Sequence, residues 1–497
     1  MALPRQGQVR HDGRVDPGRL SSLLAPWLGA GAAYSAVADG VRGLALDGRL
    51  PVGARVPSER ALAAALGMSR TTISAAYDVL RSEGYLRSAH GAGSRVALPT
   101  GARPVERPDV DPGAEREPEG VLDLTMAALP APAAVLDAVA AASADLPLQL
   151  AHHGMHAFGL PVLRDAVARH LSARGLATAP EQVLVTSGAL QGWNLLLRAL
   201  SRPGQRALVE QPTYPAVVDA VRAHHVRPVP LPVGEHGWEL PASPAGRRAM
   251  TEAVLAHVTP DAQNPTGLVQ DDDQRAELLA ALSAGPGGSP VVAVDETFAD
   301  LVDPAAAQTP LAALAEARRG EEVVTLGSVS KSFWAGLRLG WVRASPELVS
   351  RLAQVRAGLD ITSPVLDQLV AVHLLARAPE LLAERRALLA ERRTGLLRAL
   401  AAGVPDWAVR PAQAGLVLWV GLPTPGATQL VSHALDLGVR LVPGPRFTVD
   451  GTGDRWLRLP LTVAPEDAPA LVSVLREARA RAVASAPTSR TPARWTA

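Results

Sequence analysis

The chain has 497 residues, 47% of them hydrophobic, with a formal net charge of +1 and no cysteine. That length asks for two or three domains with substantial cores, and the near-neutral balance gives no global attraction to nucleic acid. The missing cysteines exclude disulfide scaffolds, thiolate metal sites and thiol nucleophiles. No uncharged run is long enough to span a bilayer and Met1–Leu20 carries no apolar signal segment, so the expected location is cytoplasmic, with no membrane partner.

Residues 1–33 read as a leader whose apolar patch (Leu20, Leu23, Leu24, Trp27, Leu28) packs as one helix. A compact unit follows over 34–98. Val37, Val41 and Leu44 share one helical face, and Pro57-Ser58 opens a second helix with Leu62 and Leu66 inward and Gly67 as its stop. After the turn Met68-Ser69, RTTISAAYDVLRSEG places Ile73, Ala76, Tyr77 and Leu80 inward and Arg70, Thr71, Ser74 and Arg81 outward. Two short helices joined by a tight turn, the second with arginine and hydroxyls at its start, match a major-groove reader. An arginine fork suits guanine edges, and helix-start amides suit phosphates. GYLRSAHGAGSRVAL then gives two strands around a His90–Gly93 tip, a wing. Eight arginines against five acidic residues make this segment locally basic.

The string GRLPVGARVPSERALAAALGMSRTTISAAYDVLRSEGYLRSAHGAGSRV resembles the GntR-type winged helix-turn-helix family. By that resemblance Arg60, Ser69, Arg70, Thr71 and the wing residues His90 and Gly91 contact double-stranded DNA.

Residues 99–120, rich in Pro, Gly, Arg and Glu, read as an extended linker. From 121 to 480 strand-like runs (VLVTSG, ALVEQP, VVAVDE, VVTLGS) alternate with helical patterns, as in an α/β domain. Residues 481–497 read as a disordered tail.

Lys331, in GSVSKSFWAGLRLGW, is the sole lysine of the chain. Imine chemistry, which arginine cannot perform, therefore has one side chain available; such a lysine needs a dry, electropositive pocket. Ser328 and Ser330 can donate to a phosphate, and Arg338 offers a bidentate fork. Asp295 ends the strand VVAVDE, where a carboxylate can pair with a protonated pyridine nitrogen. Asn264, in QNPTG, can donate to a phenolate oxygen. Ser187-Gly188-Ala189 stands at a strand-to-helix turn whose free amides bind phosphate.

The ordered set SGALQ, EQPTYP, QNPTG, VDE and SVSKSFWAGLRLG resembles the fold-type I aminotransferases of class I/II, over about residues 121–480. The resemblance implies a pyridoxal 5'-phosphate cofactor, with Lys331 as the Schiff-base lysine, Asp295 as the pyridine partner and Asn264 as the O3' partner. It assigns Ser187, Gly188, Ala189, Ser328, Ser330 and Arg338 to the phosphate, sets Tyr214 against the ring, and makes Arg458, in WLRLPLT, the clamp for a ligand carboxylate. It also implies a small C-terminal α/β lobe beside the large α/β domain.

Two positions depart from that pattern. The family's O3' tyrosine has no counterpart in Asp295-Glu296-Thr297-Phe298, which leaves Thr297, water or one partner fewer. HHGMHAFGL replaces the Tyr-Gly pair that the family lends to a neighbouring subunit, leaving His153-Gly154 or His152 as substitutes.

A GntR-type reader, a proline-rich linker and an aminotransferase-like domain together resemble the MocR subfamily of bacterial regulators, and imply a head-to-tail homodimer. Two functions follow. The first is a transcription regulator that senses a small amine, an amino acid or the cofactor itself through the Lys331 aldimine, with at most partial transamination. The second is a working aminotransferase with an ancillary DNA-binding domain.

Overall fold

The computed structural model describes residues 14–97 and 121–485, apart from short stretches at 25–26, 29–32, 47–49, 51–52, 83, 90–92, 284–288, 319–321 and 411. The expected linker over 99–120 and the wing residues His90 and Gly91 lie outside the described residues. The chain divides into two compact units, one of Met1–Thr125, Gly426–Leu441 and Ser473–Ala497, the other of Met126–Pro425 and Val442–Val472.

The first unit contains α1 (Pro17–Leu24), α2 (Ala33–Leu46), α3 (Glu59–Leu66), α4 (Arg70–Ser82) and an antiparallel hairpin of β1 (Leu86–Ala89) and β2 (Gly93–Val96). Its core joins Val37, Val41 and Leu44 of α2 to Leu62 of α3 and Ile73, Ala76, Tyr77 and Leu80 of α4. The Ser58 hydroxyl accepts the Ala61 amide (3.3 Å), and Gly67 closes α3 in the left-handed region at φ 64°. The buried Tyr77 hydroxyl donates to the Pro57 carbonyl (2.9 Å), fixing α4 to the entry of α3.

Leu20 and Leu24 of α1 are fully buried in this same core. The stretch expected to be a separate leader is therefore part of the reader's own packing, because an eight-residue helix with a leucine face is stable only against a neighbour. The short strand β3 (Leu122–Asp123) pairs in parallel with Val439–Arg440, and Arg440 meets Asp123 at 3.1 Å. The helix Ala468–Ser485 continues into the stretch expected to be a disordered tail; 486–497 lie outside the described residues.

The second unit begins with α5 (Ala134–Leu150), α6 (Pro161–Ala173), β4 (Val183–Thr186) and α7 (Ala189–Leu200). The strands β5 (Arg206–Gln211), β6 (Arg227–Pro232), β7 (Leu255–Val258), β8 (Val291–Asp295), β9 (Val323–Ser328) and β10 (Gly340–Arg343) complete a sheet of order β4-β10-β9-β8-β7-β5-β6. β10 runs antiparallel to both its neighbours and the other pairs are parallel. The edge strand β4 and the inner strands β7 and β9 are buried along their whole length, so both faces of the sheet are covered, which is why these segments read as unbroken apolar runs. A smaller antiparallel sheet, β11 (Ala408–Val409), β12 (Val417–Gly421), β14 (Val442–Pro443) and β15 (Trp456–Pro460), has the order β11-β12-β15-β14; Val439–Arg440 is β13.

Candidate cofactor site and DNA-reading helix

Because β10 is antiparallel to both β4 and β9, strands β4, β5, β7, β8 and β9 all point the same way. Their carboxyl ends carry, respectively, Ser187–Ala189, the turn to Tyr214, the loop to Asn264, Asp295 itself, and Ser328 with the short turn Val329–Ser332. Five strings far apart in sequence thus meet along one edge of one sheet, the edge at which open α/β sheets bind ligands.

At that edge Lys331 is half-buried and its Nζ donates to the Ala127 carbonyl at 2.9 Å. The Ser328 hydroxyl accepts the Ser330 amide (3.1 Å) and donates to the Leu339 carbonyl (2.9 Å). The Ser330 hydroxyl is buried with no hydrogen-bond partner among the described residues. Arg338 sits in the left-handed region (φ 49°), and its Nη2 donates to the Ser187 carbonyl at 3.4 Å. Gly188 has φ 117°, and a Cβ there would stand 3.6 Å from Arg338 Nη2, so the guanidinium borders the start of α7. The first amides of that helix have no partner within it. Gly340 is equally constrained: a Cβ would approach the Gly327 carbonyl to 2.4 Å and the Gly188 backbone to 2.8 Å.

Asp295 accepts the Thr297 amide (2.9 Å) through Oδ1, and its Oδ2 lies 3.9 Å from Nε2 of His257. His257 is buried edge-on against Trp193, ring centres 5.0 Å apart, and burial holds its imidazole below the usual value despite Asp295. The Asn264 Oδ1 is buried without a hydrogen-bond partner among the described residues. Phe298, at the end of the Asp295–Phe298 run that lacks the tyrosine, is buried in the core. His152 and His153 are exposed, and His153 Nδ1 accepts the Met155 amide at 2.9 Å.

An amine, a strand-end carboxylate, the Asn264 amide, an unused buried hydroxyl and an arginine beside a helix start form a set of polar groups that fits a phosphorylated pyridine aldehyde. Arg458 lies on β15 in the smaller sheet. It is buried rather than solvated, its guanidinium carbon 5.0 Å from the centre of the Phe447 ring. The Phe447 carbonyl accepts the Thr213 amide (2.8 Å), next to Tyr214, so Arg458 and the turn that carries Tyr214 share one neighbour.

Sequence reasoning missed the Asp360 contacts: this carboxylate accepts from Gln191 and, at 3.4 Å, from the Ser187 hydroxyl, and pairs with the fully buried Arg356 at 2.8 Å. No local motif marks it, since Asp360 lies 173 residues from Ser187.

Glu210, in EQPTYP, is fully buried. It accepts from Trp238 Nε1 (2.7 Å), the Thr259 amide (3.0 Å) and Gln263 Nε2 (3.0 Å), the last next to Asn264. Burial pushes its carboxyl up to about 7, against those three donors. A raised value means stability complete below the ordinary carboxylate range and lost as pH rises through about 7. Glu210→Gln is expected to flatten that part of the stability–pH curve, by on the order of 3 kcal/mol between pH 4.5 and 7, measured by urea unfolding. An unchanged slope would show that the carboxyl ionises freely in the fold.

In the first unit Arg60, in the first turn of α3, and Ser69, Arg70 and Thr71, at the start of α4, are all exposed. The Ser69 hydroxyl accepts the Thr72 amide (3.1 Å) and lies 2.7 Å from the Thr71 and Thr72 hydroxyls, so it caps the helix. Arg70 keeps a 3.6 Å ion pair with Glu59 while its side chain stays 74% exposed, a pairing of little energetic weight that leaves the fork available.

Residues 120–475 match the family model for aminotransferase class I and II, and residues 33–96 the model for bacterial regulatory proteins of the gntR family. The HTH-type pyridoxine biosynthesis transcriptional regulator PdxR of Corynebacterium glutamicum is 32% identical over 328 residues, 64% of this chain and 67% of that protein. The probable rhizopine catabolism regulatory protein MocR of Rhizobium meliloti is 28% identical over 334 residues, 62% and 65% respectively. Among solved structures, LysN, the α-aminoadipate aminotransferase of Thermus thermophilus in complex with N-(5'-phosphopyridoxyl)-L-leucine, superposes with a TM-score of 0.67 at 29% identity, covering 74% of this chain and 94% of that one. Class I and II homologues are pyridoxal phosphate dependent, and their fold typically dimerises. Among the described residues no helix is long and apolar enough to cross a membrane. With a gntR-type helix-turn-helix ahead of a fold-type I domain, the chain belongs to the aminotransferase class I and II family and has the architecture of the MocR-like DNA-binding regulators.

Proposed function

We propose that the chain is a cytoplasmic transcription regulator in which the Lys331 site senses a small amine, an amino acid or pyridoxal phosphate, and the gntR-type unit reads an operator. The observation that carries this reading is the assembly of Lys331, Asp295, Asn264, Ser330 and Arg338 along one sheet edge of a chain that also exposes the reading face of α4. When bound, pyridoxal phosphate supplies an aldehyde and an electron-withdrawing ring. Lys331 would hold it through its ε-amine, Asp295 would keep the proton on the ring nitrogen, and Asn264 would donate to O3'. Tyr214 would lie on the ring. Ser187, Gly188, Ala189, Ser328, Ser330 and Arg338 would neutralise and orient the phosphate.

Arg458, buried beside Phe447, would receive the effector's carboxylate. Arg458→Ala is expected to weaken amino-acid binding by roughly 10–100-fold, as for a lost charge-assisted hydrogen bond, with pyridoxal phosphate affinity within twofold. Equal losses of both in calorimetric titration would contradict the assignment. A head-to-tail homodimer would present two readers to paired half-sites. Exposed Leu136, Leu148, Leu150, Met155 and Ile361 on the second unit are the apolar surface such a dimer would cover.

The test is a titration of full-length protein with amines and amino acids, following the visible spectrum and operator affinity in the same samples. A ligand that changes both supports the sensor, provided it binds the two DNA-affinity states unequally. Sustained turnover of an amino acid with a keto acid at about 1–10³ s⁻¹, with no effect on DNA, would establish the working-aminotransferase alternative instead; Phe298 in place of the O3' tyrosine argues against it.

A further inference from the structure

Behind the Lys331 turn lies a buried charge cluster that the cofactor contacts do not use. Ser332 follows Lys331 in the four-residue turn Val329–Ser332, and its hydroxyl donates to Asp300 Oδ2 at 2.8 Å, both residues buried. Asp300 belongs to the short turn Ala299–Leu301, shortly after Asp295. Its Oδ1 lies 2.9 Å from His170 Nε2 and 3.7 Å from Arg174 Nε, and its carbonyl accepts from Arg386 Nη1 at 2.9 Å. Arg174 also meets Glu296 at 3.0 Å, next to Asp295. On the other side of the turn, Arg385 Nη2 donates to the Phe333 carbonyl at 2.6 Å.

We propose that Asp300 is a positioning residue for Lys331, acting through the Ser332 hydroxyl. Burial opposes charge on Asp300, yet His170, Arg174 and the Ser332 hydroxyl hold its carboxyl well below the usual carboxylate range, so Ser332 faces a fixed anionic acceptor. A hydrogen bond to an ion in a buried site is stronger and more directional than one between neutral groups. In a turn of only four residues, fixing the Ser332 side chain fixes the rotation of the turn and hence the direction in which the preceding lysine leaves it. The same cluster grips Glu296, so the spacing between the amine of Lys331 and the carboxylate of Asp295 is set by one buried network rather than by two loops independently.

This inference rests on Lys331 as the cofactor anchor, and the solitary lysine gives it a readout of its own. In full-length protein freed of cofactor, the rate of Lys331 trinitrophenylation by trinitrobenzenesulfonate, in which the amine displaces sulfite from the ring, is measured at fixed pH, with Lys331→Ala defining the terminal-amine background. Pyridoxal phosphate release and the visible circular dichroism per bound cofactor are measured on loaded protein. Ser332→Ala is expected to change the arylation rate at least threefold, to release cofactor about tenfold faster, as for one lost hydrogen bond to a charged group, and to reduce the dichroism. Ser332→Thr, which keeps the hydroxyl, should restore all three. A purely structural role predicts a lower thermal midpoint with arylation rate and dichroism unchanged, and that result in Ser332→Ala overturns the proposal. Asp300→Asn is the harsher second variant; if it does not fold, the Ser332 pair alone decides. The arylation arm needs neither effector nor DNA, so its failure is distinguishable from failure of the sensor reading.

Discussion

Lys331→Ala is expected to abolish covalent capture of pyridoxal phosphate completely. This chain has no second lysine to form the imine in its place, and an arginine guanidinium is never a neutral amine under these conditions. Borohydride reduction of cofactor-saturated wild-type protein should leave a pyridoxyl mass on the peptide containing Ser330-Lys331-Ser332, and the variant should show none. The variant should also lack the visible imine band, and at the same cofactor concentration should keep less of the stabilisation that ligand binding gives the wild type, about 2.7 kcal/mol at a hundredfold excess over Kd. Noncovalent affinity should survive in reduced form, because Arg338, Ser328, Ser330 and the α7 start still serve the phosphate. A visible band persisting in the variant would remove Lys331 from the site.

Arg70→Ala is expected to weaken operator binding by about 1–3 kcal/mol if its fork reads a base, roughly fivefold to 150-fold, and to leave the cofactor spectrum unchanged. The residue stands at the first position of α4, exposed, with a 3.6 Å partner in Glu59. If Arg70 contacts a phosphate instead, the loss should be uniform across sequences and the slope of log affinity against log salt should fall by about one. Fluorescence anisotropy on matched and scrambled duplexes at several salt concentrations separates the two. Affinity unchanged on every duplex would mean that α4 does not enter the groove.

Much of this molecule could be read without coordinates, for reasons visible in particular residues. The reader helices are legible because their signals are local: Ser58 caps, Gly67 stops, and Ile73, Ala76, Tyr77 and Leu80 repeat at helical spacing. The cofactor strings are legible because coding bias makes Lys331 and Asn264 rare, so their chemistry stands out against a background of arginine and alanine. The separate leader did not survive, since a helix whose leucines enter a core downstream looks independent until the core is seen. The resemblance assigns Arg458 to a ligand carboxylate, but only its packing against Phe447 reveals that it is buried.

By itself, then, the sequence determined which chemical groups exist and the order in which they come: one amine, the carboxylate of VDE, the phosphate turn, and an arginine-bearing helix start in a separate unit. Those are properties of nearest neighbours along the chain, set by dihedral preference, capping and side-chain period. The tertiary structure alone decided which groups meet. It brought five strand ends to one edge, set Asp360 against Ser187, and placed Asp300 under the Lys331 turn. Such contacts depend on strand order and on the burial of charge among residues far apart in sequence, and no local pattern encodes either.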